Sequence, residues 1–452
     1  MNNWHPHSWQ KKPVAQHVDY PDPQACTAVL KQLSQLPPLV TSWEVETLKS
    51  HLADAAEGRR FLVQGGDCAE SFEDCRPDRI AGKLKILLKM SIVMLYGSKK
   101  PVVRVGRFAG QYAKPRSSPS ETRDGVTLPS YRGQLVNRRG FSLEERTPDP
   151  QLMLRAYEHS AMTLNFIRGL IDGGFADLRH PELWDLAFVS HAKMSSQYQR
   201  IVGAVGEAIS FLEAVAGRSM GELSRVEFFT SHEGLLLSYE AAQTRKVPRR
   251  SGWYNLHTHF PWIGDRTRSL EGAHVEFFRG IANPIGVKIG PDCTAEELLA
   301  LAGVLNPDNE PGRLTFIHRF GARRIETHLP ELIEAIQRER KNVLWVCDPM
   351  HGNTIQTRSG LKTRDFEDIL AELTRAFEIH ARIGSNLGGV HFELTGDDVT
   401  ECIGGARGLV EADLARAYLT DVDPRLNYEQ SLEMALLIAR YMGRKRESPG
   451  RR

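Results

Sequence analysis

The sequence predicts an α/β fold of the (β/α)8 barrel type, on three observations. Short apolar runs recur along the chain, each ends abruptly in charged or metal-binding residues, and helical stretches alternate with them beyond residue 225. In such a barrel the C-terminal ends of the strands form the face where chemistry is done. The first run, Phe61-Leu62-Val63, leads into Gly65-Gly66-Asp67-Cys68-Ala69-Glu70, and the second, Val102 to Val105, into Gly106-Arg107. Val226 to Phe229 precedes Ser231-His232-Glu233, and Trp253 to Leu256 precedes His257-Thr258-His259. Ile285-Gly286-Val287 delivers Lys288, and Leu314 to Ile317 delivers His318-Arg319. Val343 to Val346 ends in Cys347-Asp348-Pro349-Met350-His351, and Gly389 to Phe392 in Glu393. One or two such endings are ordinary polar loops. Eight in succession indicate an enzyme.

The segments between the strands divide the chain. Residues 1–58 form an N-terminal extension with helices expected at Gln24 to Gln35 and Glu44 to Glu57, suited to packing on the barrel or a neighbouring subunit. A helix from Arg79 to Tyr96 follows the first strand, with Gly97 as its stop signal. Residues 107–147 are rich in Arg, Ser, Pro and Gly and read as a long loop, which is uncommon unless functional. Thr147, Pro148 and Asp149 mark a helix start, and Met153, Tyr157, Ala161, Leu164, Ile167 and Ile171 then recur at helical spacing. With a second helix near Ser196 to Ala216, this makes a helical insertion at about 148–222 within a catalytic barrel spanning 59–442. Further on, Thr294-Ala295-Glu296-Glu297 is a capping-box pattern opening a helix through Leu305. Helices are expected at Arg324 to Glu339, Asp365 to Ile379, Asp413 to Leu419 and Glu429 to Met442. The basic tail, 443–452, is expected to be disordered.

Composition narrows the function class. The 452 residues are 41% hydrophobic and 25% charged with a net charge of +2, an ordinary globular balance and no polyanion-binding footprint. No apolar run is long enough to span a bilayer, and the first residues lack the basic and apolar regions of a signal peptide. Six dispersed cysteines fit a reduced compartment better than a disulfide scaffold. A cytoplasmic enzyme acting on small molecules, without nucleic acid or membrane, is the expectation.

Two sets of residues carry chemistry. Cys68, His351, Glu393 and an Asp within Asp421-Val422-Asp423 are a thiolate, an imidazole and carboxylates drawn from distant strand ends, a mixture that suits a divalent first-row transition metal. Arg107, Lys288 and Arg319, with Arg266 and Arg268 after the fourth run, are cations aimed at one axis that need an anion to offset them. Lys114-Pro115-Arg116-Ser117-Ser118-Pro119 adds a second basic cluster with hydroxyl donors. The implied substrate is doubly anionic and phosphorylated, with another anion site nearby. Glu233 is a candidate catalytic acid or base, and Lys288 has the chemistry to form a Schiff base in an aldolase.

The same residues lie within long stretches that resemble the type II 3-deoxy-D-arabino-heptulosonate 7-phosphate (DAHP) synthases. These are Phe61 to Phe72, Lys114 to Pro119, Gly272 to Phe277, Asn283 to Lys288, His318 to Gly321, Cys347 to Thr354 and Asp423 to Asn427. The resemblance implies a metal-dependent, aldol-type condensation of phosphoenolpyruvate with erythrose 4-phosphate, serving aromatic amino-acid or secondary-metabolite biosynthesis. It implies metal ligation of Mn2+ or Co2+ by Cys68, His351, Glu393 and Asp423. Phosphoenolpyruvate falls to Arg107, Arg266, Lys288 and Arg319, and erythrose 4-phosphate to Lys114, Arg116 and Ser117. A homodimer or homotetramer is implied as well. Two positions depart from the family pattern: Asp265 stands where a Glu is usual, and Val422 where many relatives carry Cys. The alternatives are another metal-dependent barrel aldolase or lyase, or a catalytically silent regulatory barrel.

Overall fold

Runs of β-branched and aromatic residues buried on both faces are the signature of parallel strands covered by helices. The computed structural model, which describes residues 4–175, 198, 200–208 and 226–447, builds the barrel from eight of them. They are β1 (Phe61–Gly66), β2 (Val102–Arg107), β3 (Phe229–Thr230), β4 (Trp262–Ile263), β5 (Ile285–Ile289), β6 (Leu314–His318), β7 (Leu344–Cys347) and β8 (Leu387–Glu393). Their hydrogen-bonded order is β3-β2-β1-β8-β7-β6-β5-β4, parallel throughout. The outer strands then meet. Phe260 N donates to Thr230 O at 3.1 Å, Trp262 N to His232 O at 3.1 Å and Gly234 N to Trp262 O at 3.0 Å, so the sheet curls until β3 and β4 join.

One expected strand is in the wrong place. Tyr254–Asn255 belongs to a two-stranded antiparallel hairpin with Thr244–Arg245, and the fourth barrel strand is Trp262–Ile263, after Pro261. His257 and His259 therefore do not reach the active face. His259 Nδ1 accepts from Thr230 N at 2.9 Å, and the His257 ring packs 4.0 Å from that of Tyr239.

The barrel interior is layered. Leu62, Val103, Val105, Phe229, Phe260, Ile317, Leu344 and Val346 fill it, and helix Ser42–Ala56 plugs its N-terminal mouth with Leu48, Leu52 and Ala55. With that end sealed by apolar contact, polar inward residues gather only towards the strands' C-terminal ends. Thr41 begins this helix with a capping box: its side chain accepts from Glu44 N while Glu44 accepts from Thr41 N.

Helix boundaries hold to within a few residues, with three corrections. The helix after β1 runs Pro77–Ser98 and stops at Lys99, in left-handed backbone at φ 55°. Gly97 lies inside it: a Cβ there would come within 2.5 Å of Ala439 Cβ, so this glycine lets the C-terminal helix Tyr428–Glu447 approach closely. That helix continues through 443–447, part of the segment expected to be disordered. Thr147 ends a short helix, Leu143–Arg146, and the long helix starts at Gln151, whose N–H is taken by Asp149 Oδ1.

The helix Gln151–Asp172 buries Leu152, Met153, Tyr157 and Leu164 against Val29, Leu33, Leu39, Val40 and Val45 of the N-terminal extension. The second helix expected at Ser196 to Ala216 lies largely outside the described residues, although 200–208 are helical. The 107–147 segment is an organised loop with a hairpin, Ser120–Arg123 with Val126–Pro129. Residues 411–416 form a 3-10 helix. Among the described residues no helix is long and apolar enough to cross a membrane.

Candidate active site

One pocket opens at the C-terminal end of the barrel. Cys68, Arg107, Gln111, Lys114, Glu233, Trp262, Asp265, Arg266, Lys288, Arg319, His351, Glu393 and Asp423 line it, together with Pro115 and Gly264. All but Asp423, which comes from the long segment after β8, sit at a strand end or in the loop that follows it, which is why residues hundreds of positions apart share one pocket. Of the cations and hydroxyls singled out in the sequence, Arg116, Ser117 and Arg268 stand apart. Arg116 turns to Glu121 of the neighbouring hairpin at 3.8 Å, and Ser117 sits at the exposed rim, where its Oγ accepts from Arg266 Nη2 at 3.0 Å.

On one wall, donor atoms of Cys68, Glu393 and Asp423 all lie within 4.8 Å of one another, and His351 Nε2 lies 3.0 Å from Glu393 Oε1. His351 Nδ1 is 2.7 Å from Asp348 Oδ2, an arrangement in which the carboxylate accepts from the ring and leaves the Nε2 lone pair facing the other donors. The set attracts a cation. Lys114 Nζ sits 2.8 Å from Cys68 Sγ and 2.6 Å from Asp423 Oδ2. Burial and the neighbouring Glu393 push the Cys68 thiol up, while burial of Glu393 itself is outweighed by His351 and Arg364, which hold its carboxyl well below the usual range. Burial of Asp423 is likewise outweighed, chiefly by Lys114. A thiol that can ionise here only beside a cation, next to two ionised carboxylates and an oriented imidazole, fits a thiophilic divalent metal.

The adjoining wall is cationic, and it touches the first where Arg107 Nη2 lies 3.3 Å from Glu393 Oε1. Arg107 is buried, with its guanidinium 5.3 Å over the Trp262 ring and Nη2 3.2 Å from Cys68 O. Lys288 is also buried and pairs with Asp348, which joins this wall to His351. Burial lowers the Lys288 ammonium to about 8, against the pull of Asp348. Arg319 donates to Asp265 Oδ2 at 2.7 Å and to His351 O at 3.2 Å. Asp265 also takes Arg268 Nε at 3.0 Å, while Arg268 Nη1 pairs with Glu297 outside the pocket.

Among the described residues Arg107 Nε, Arg319 Nε and Glu233 Oε1 are buried without a hydrogen-bond partner. Burial raises the Glu233 carboxyl, opposed by Arg107, Lys288 and His351. Its backbone N–H is held by Gln111 Oε1 at 2.9 Å. This wall can bind a compact dianion, with a carboxyl group beside it able to carry a proton.

Several contributors were missed in the sequence. Asp348 and His391 point inward because they lie two residues after Val346 and two before Glu393, a period-two signal that was available. Arg364 pairs with Glu393 Oε2 at 2.7 Å from a hairpin edge and has no local signal. A second donor group, His318, Cys347 and Glu372, is fully buried elsewhere. There Glu372 already accepts from Phe320 N and Gly321 N, both at 2.9 Å, and from Asn353 Nδ2 at 2.7 Å, so it reads as a structural acceptor.

The chain matches the class-II DAHP synthetase family over residues 4–439. It is 48% identical over 460 residues to a phospho-2-dehydro-3-deoxyheptonate aldolase of Neurospora crassa, covering 98% of this chain and 95% of that protein. It is 49% identical over 432 residues to the protein of the same name from Streptomyces coelicolor, covering 96% of each. Among solved structures, a phospho-2-dehydro-3-deoxyheptonate aldolase from Francisella tularensis aligns with a TM-score of 0.45 and 14% identity, covering 95% of this chain and 98% of that one.

Proposed function

Because the chain belongs to the class-II DAHP synthetase family, whose enzymes join phosphoenolpyruvate to erythrose 4-phosphate at the head of the shikimate pathway, we propose that the barrel-end pocket is where it does so. The carrying observation is the convergence of two complementary groups in one pocket: three cations beside a carboxyl group, adjoining a thiol, an imidazole and two carboxylates.

Arg107, Lys288 and Arg319 hold phosphoenolpyruvate, with Arg266 at the rim. Fixed cations cost no reorganisation as charge develops, so they serve the transition state as well as binding. Carbon 3 of phosphoenolpyruvate forms the new bond to the aldehyde carbon of erythrose 4-phosphate. Water then adds at carbon 2 and gives one proton to the alkoxide that becomes the new hydroxyl; as the carbon–oxygen bond to phosphate breaks, the carbon 2 hydroxyl becomes the ketone and its proton leaves with the phosphate. Glu233, with its raised carboxyl and unpartnered Oε1, holds and passes the proton that water gives.

Cys68, His351, Glu393 and Asp423 would hold the divalent ion, which would supply Lewis-acid polarisation and orientation of the aldehyde oxygen. Manganese or cobalt is the proposed ion: the donor set mixes soft sulfur with hard oxygen. With an ion bound, Cys68 and Asp423 would no longer hold Lys114, whose ammonium would then be free for the aldose phosphate, with Arg116 and Ser117 at the rim.

A homodimer or homotetramer in the cytoplasm is also proposed. Trp43 and Met162, 72% and 52% exposed, give the N-terminal extension and the helix Gln151–Asp172 apolar surface for a second copy. The test of function is direct: purified protein given phosphoenolpyruvate and erythrose 4-phosphate should release phosphate and form DAHP in equal amounts. Turnover of either substrate alone, or a different product, would favour another barrel aldolase.

A further inference from the structure

Arg107 is held from below by a ring nitrogen. Its Nη1 lies 2.7 Å from His391 Nε2, inside the barrel. A guanidinium only donates, so Nε2 accepts and the ring proton belongs on Nδ1. His391 Nδ1 lies 2.8 Å from Gln64 Oε1 and donates to it. The amide nitrogen of Gln64 then faces Ser231 Oγ at 3.0 Å and donates in turn, and Ser231 Oγ donates to Gly106 O at 3.2 Å. Each link points the same way, from Arg107 to a backbone carbonyl that cannot reverse. Gln64, Ser231 and His391 are fully buried, and Gln64 and His391 are register partners on β1 and β8.

We propose that His391 is a positioning residue for Arg107: locked as the Nδ1–H tautomer by Gln64 and Ser231, it aims the guanidinium at the anion pocket. The choice of residue matters physically. Arg107 Nη2 already faces one carboxylate, Glu393 Oε1 at 3.3 Å, and a second carboxylate in place of His391 would orient Arg107 but cancel the charge that the substrate dianion needs. An apolar residue would leave the charge and lose the aim. A neutral imidazole that can only accept at Nε2 does both. The directed chain also explains a glutamine and a serine in a layer of the barrel that is otherwise apolar or charged, where each unpartnered polar group would be costly.

This inference rests on the reading that Arg107 binds phosphoenolpyruvate, and the test separates the two. His391→Leu keeps bulk and removes the acceptor. His391→Gln offers an amide oxygen to Arg107 and an amide nitrogen to Gln64. The expected result for His391→Leu is a KM for phosphoenolpyruvate raised about tenfold, with the KM for erythrose 4-phosphate changed less than about twofold. His391→Gln should recover most of the loss, and in an Arg107→Lys background His391→Leu should add little. If Arg107→Ala raises the phosphoenolpyruvate KM while His391→Leu leaves it unchanged, the positioning role is wrong. If Arg107→Ala itself has no effect on that KM, the underlying assignment fails instead. Should His391→Leu not fold, Gln64→Leu frees the tautomer without touching Arg107, and the same KM must rise or the proposal falls.

Discussion

The Lys114 ammonium donates to Asp423 Oδ2 at 2.6 Å, joining the loop after β2 to a loop 309 residues further along the chain. It also touches Cys68 Sγ at 2.8 Å. Burial alone would lower this ammonium, but Cys68, Asp423 and Glu393 together raise it. Lys114 thus competes with any metal for the same donors. Lys114→Met should leave metal binding intact or tighter, while raising the KM for erythrose 4-phosphate. Metal titration and steady-state kinetics on one preparation check both. A rise confined to the phosphoenolpyruvate KM would reverse the assignment of the two substrates.

Arg319→Ala and Lys288→Ala should each lower kcat/KM for phosphoenolpyruvate about ten- to hundredfold, since a charge-assisted hydrogen bond to a buried dianion is worth about 1.5–3 kcal/mol. Lys288→Ala also leaves Asp348 with one partner fewer, so thermal unfolding should be measured beside the kinetics. Unaltered kinetics in both variants would remove the anion site from this wall.

The Lys288 ammonium, lowered by burial to about 8, sets a pH dependence. It must be charged to attract phosphoenolpyruvate, so kcat/KM for that substrate should fall as pH rises through about 8. Because kcat/KM reports the free enzyme, substrate binding does not mask this limb. Lys288→Arg keeps its charge and should move the limb to higher pH. A limb unmoved by that substitution belongs to another group.

Much of the barrel was legible, for a definite reason. Strands such as Phe61–Gly66 and Leu387–Glu393 are buried throughout, and each ends where its side chains change from apolar to charged. The fourth strand was misplaced because Trp253 to Leu256 has strand composition and a histidine-rich ending, whereas Trp262–Ile263 is two residues long and shows no period. The donors on the metal wall were legible only as scattered residues, since Cys68 and Asp423 are 355 positions apart and no local spacing joins them. Resemblance chose Asp423 between the two aspartates, and the fold brings the four donors together. The helix start at Thr147 was misread because Asp149, two residues on, takes the capping role.

The loop bearing Gln111 and Lys114 depends on one carboxylate. Buried Glu70 accepts from Ala109 N at 3.0 Å, Gly110 N at 2.9 Å and Gln111 N at 2.8 Å, where Ala109 has φ 63°. Glu70→Ala leaves three buried N–H groups unpaired and should destabilise the fold by about 1–3 kcal/mol or more. Denaturant unfolding measures this, and a change below about 0.5 kcal/mol would show that the loop relaxes without it.

Cobalt titration of chelator-treated protein, followed by optical spectroscopy, tests most directly whether Cys68, His351, Glu393 and Asp423 bind one catalytic divalent ion. A thiolate ligand gives cobalt a sulfur-to-metal charge-transfer band that oxygen and nitrogen ligands do not. The band should grow to saturation at one equivalent, together with activity, and should be absent in Cys68→Ser. Full activity in metal-free protein, or cobalt binding that restores activity without the band, would contradict the assignment.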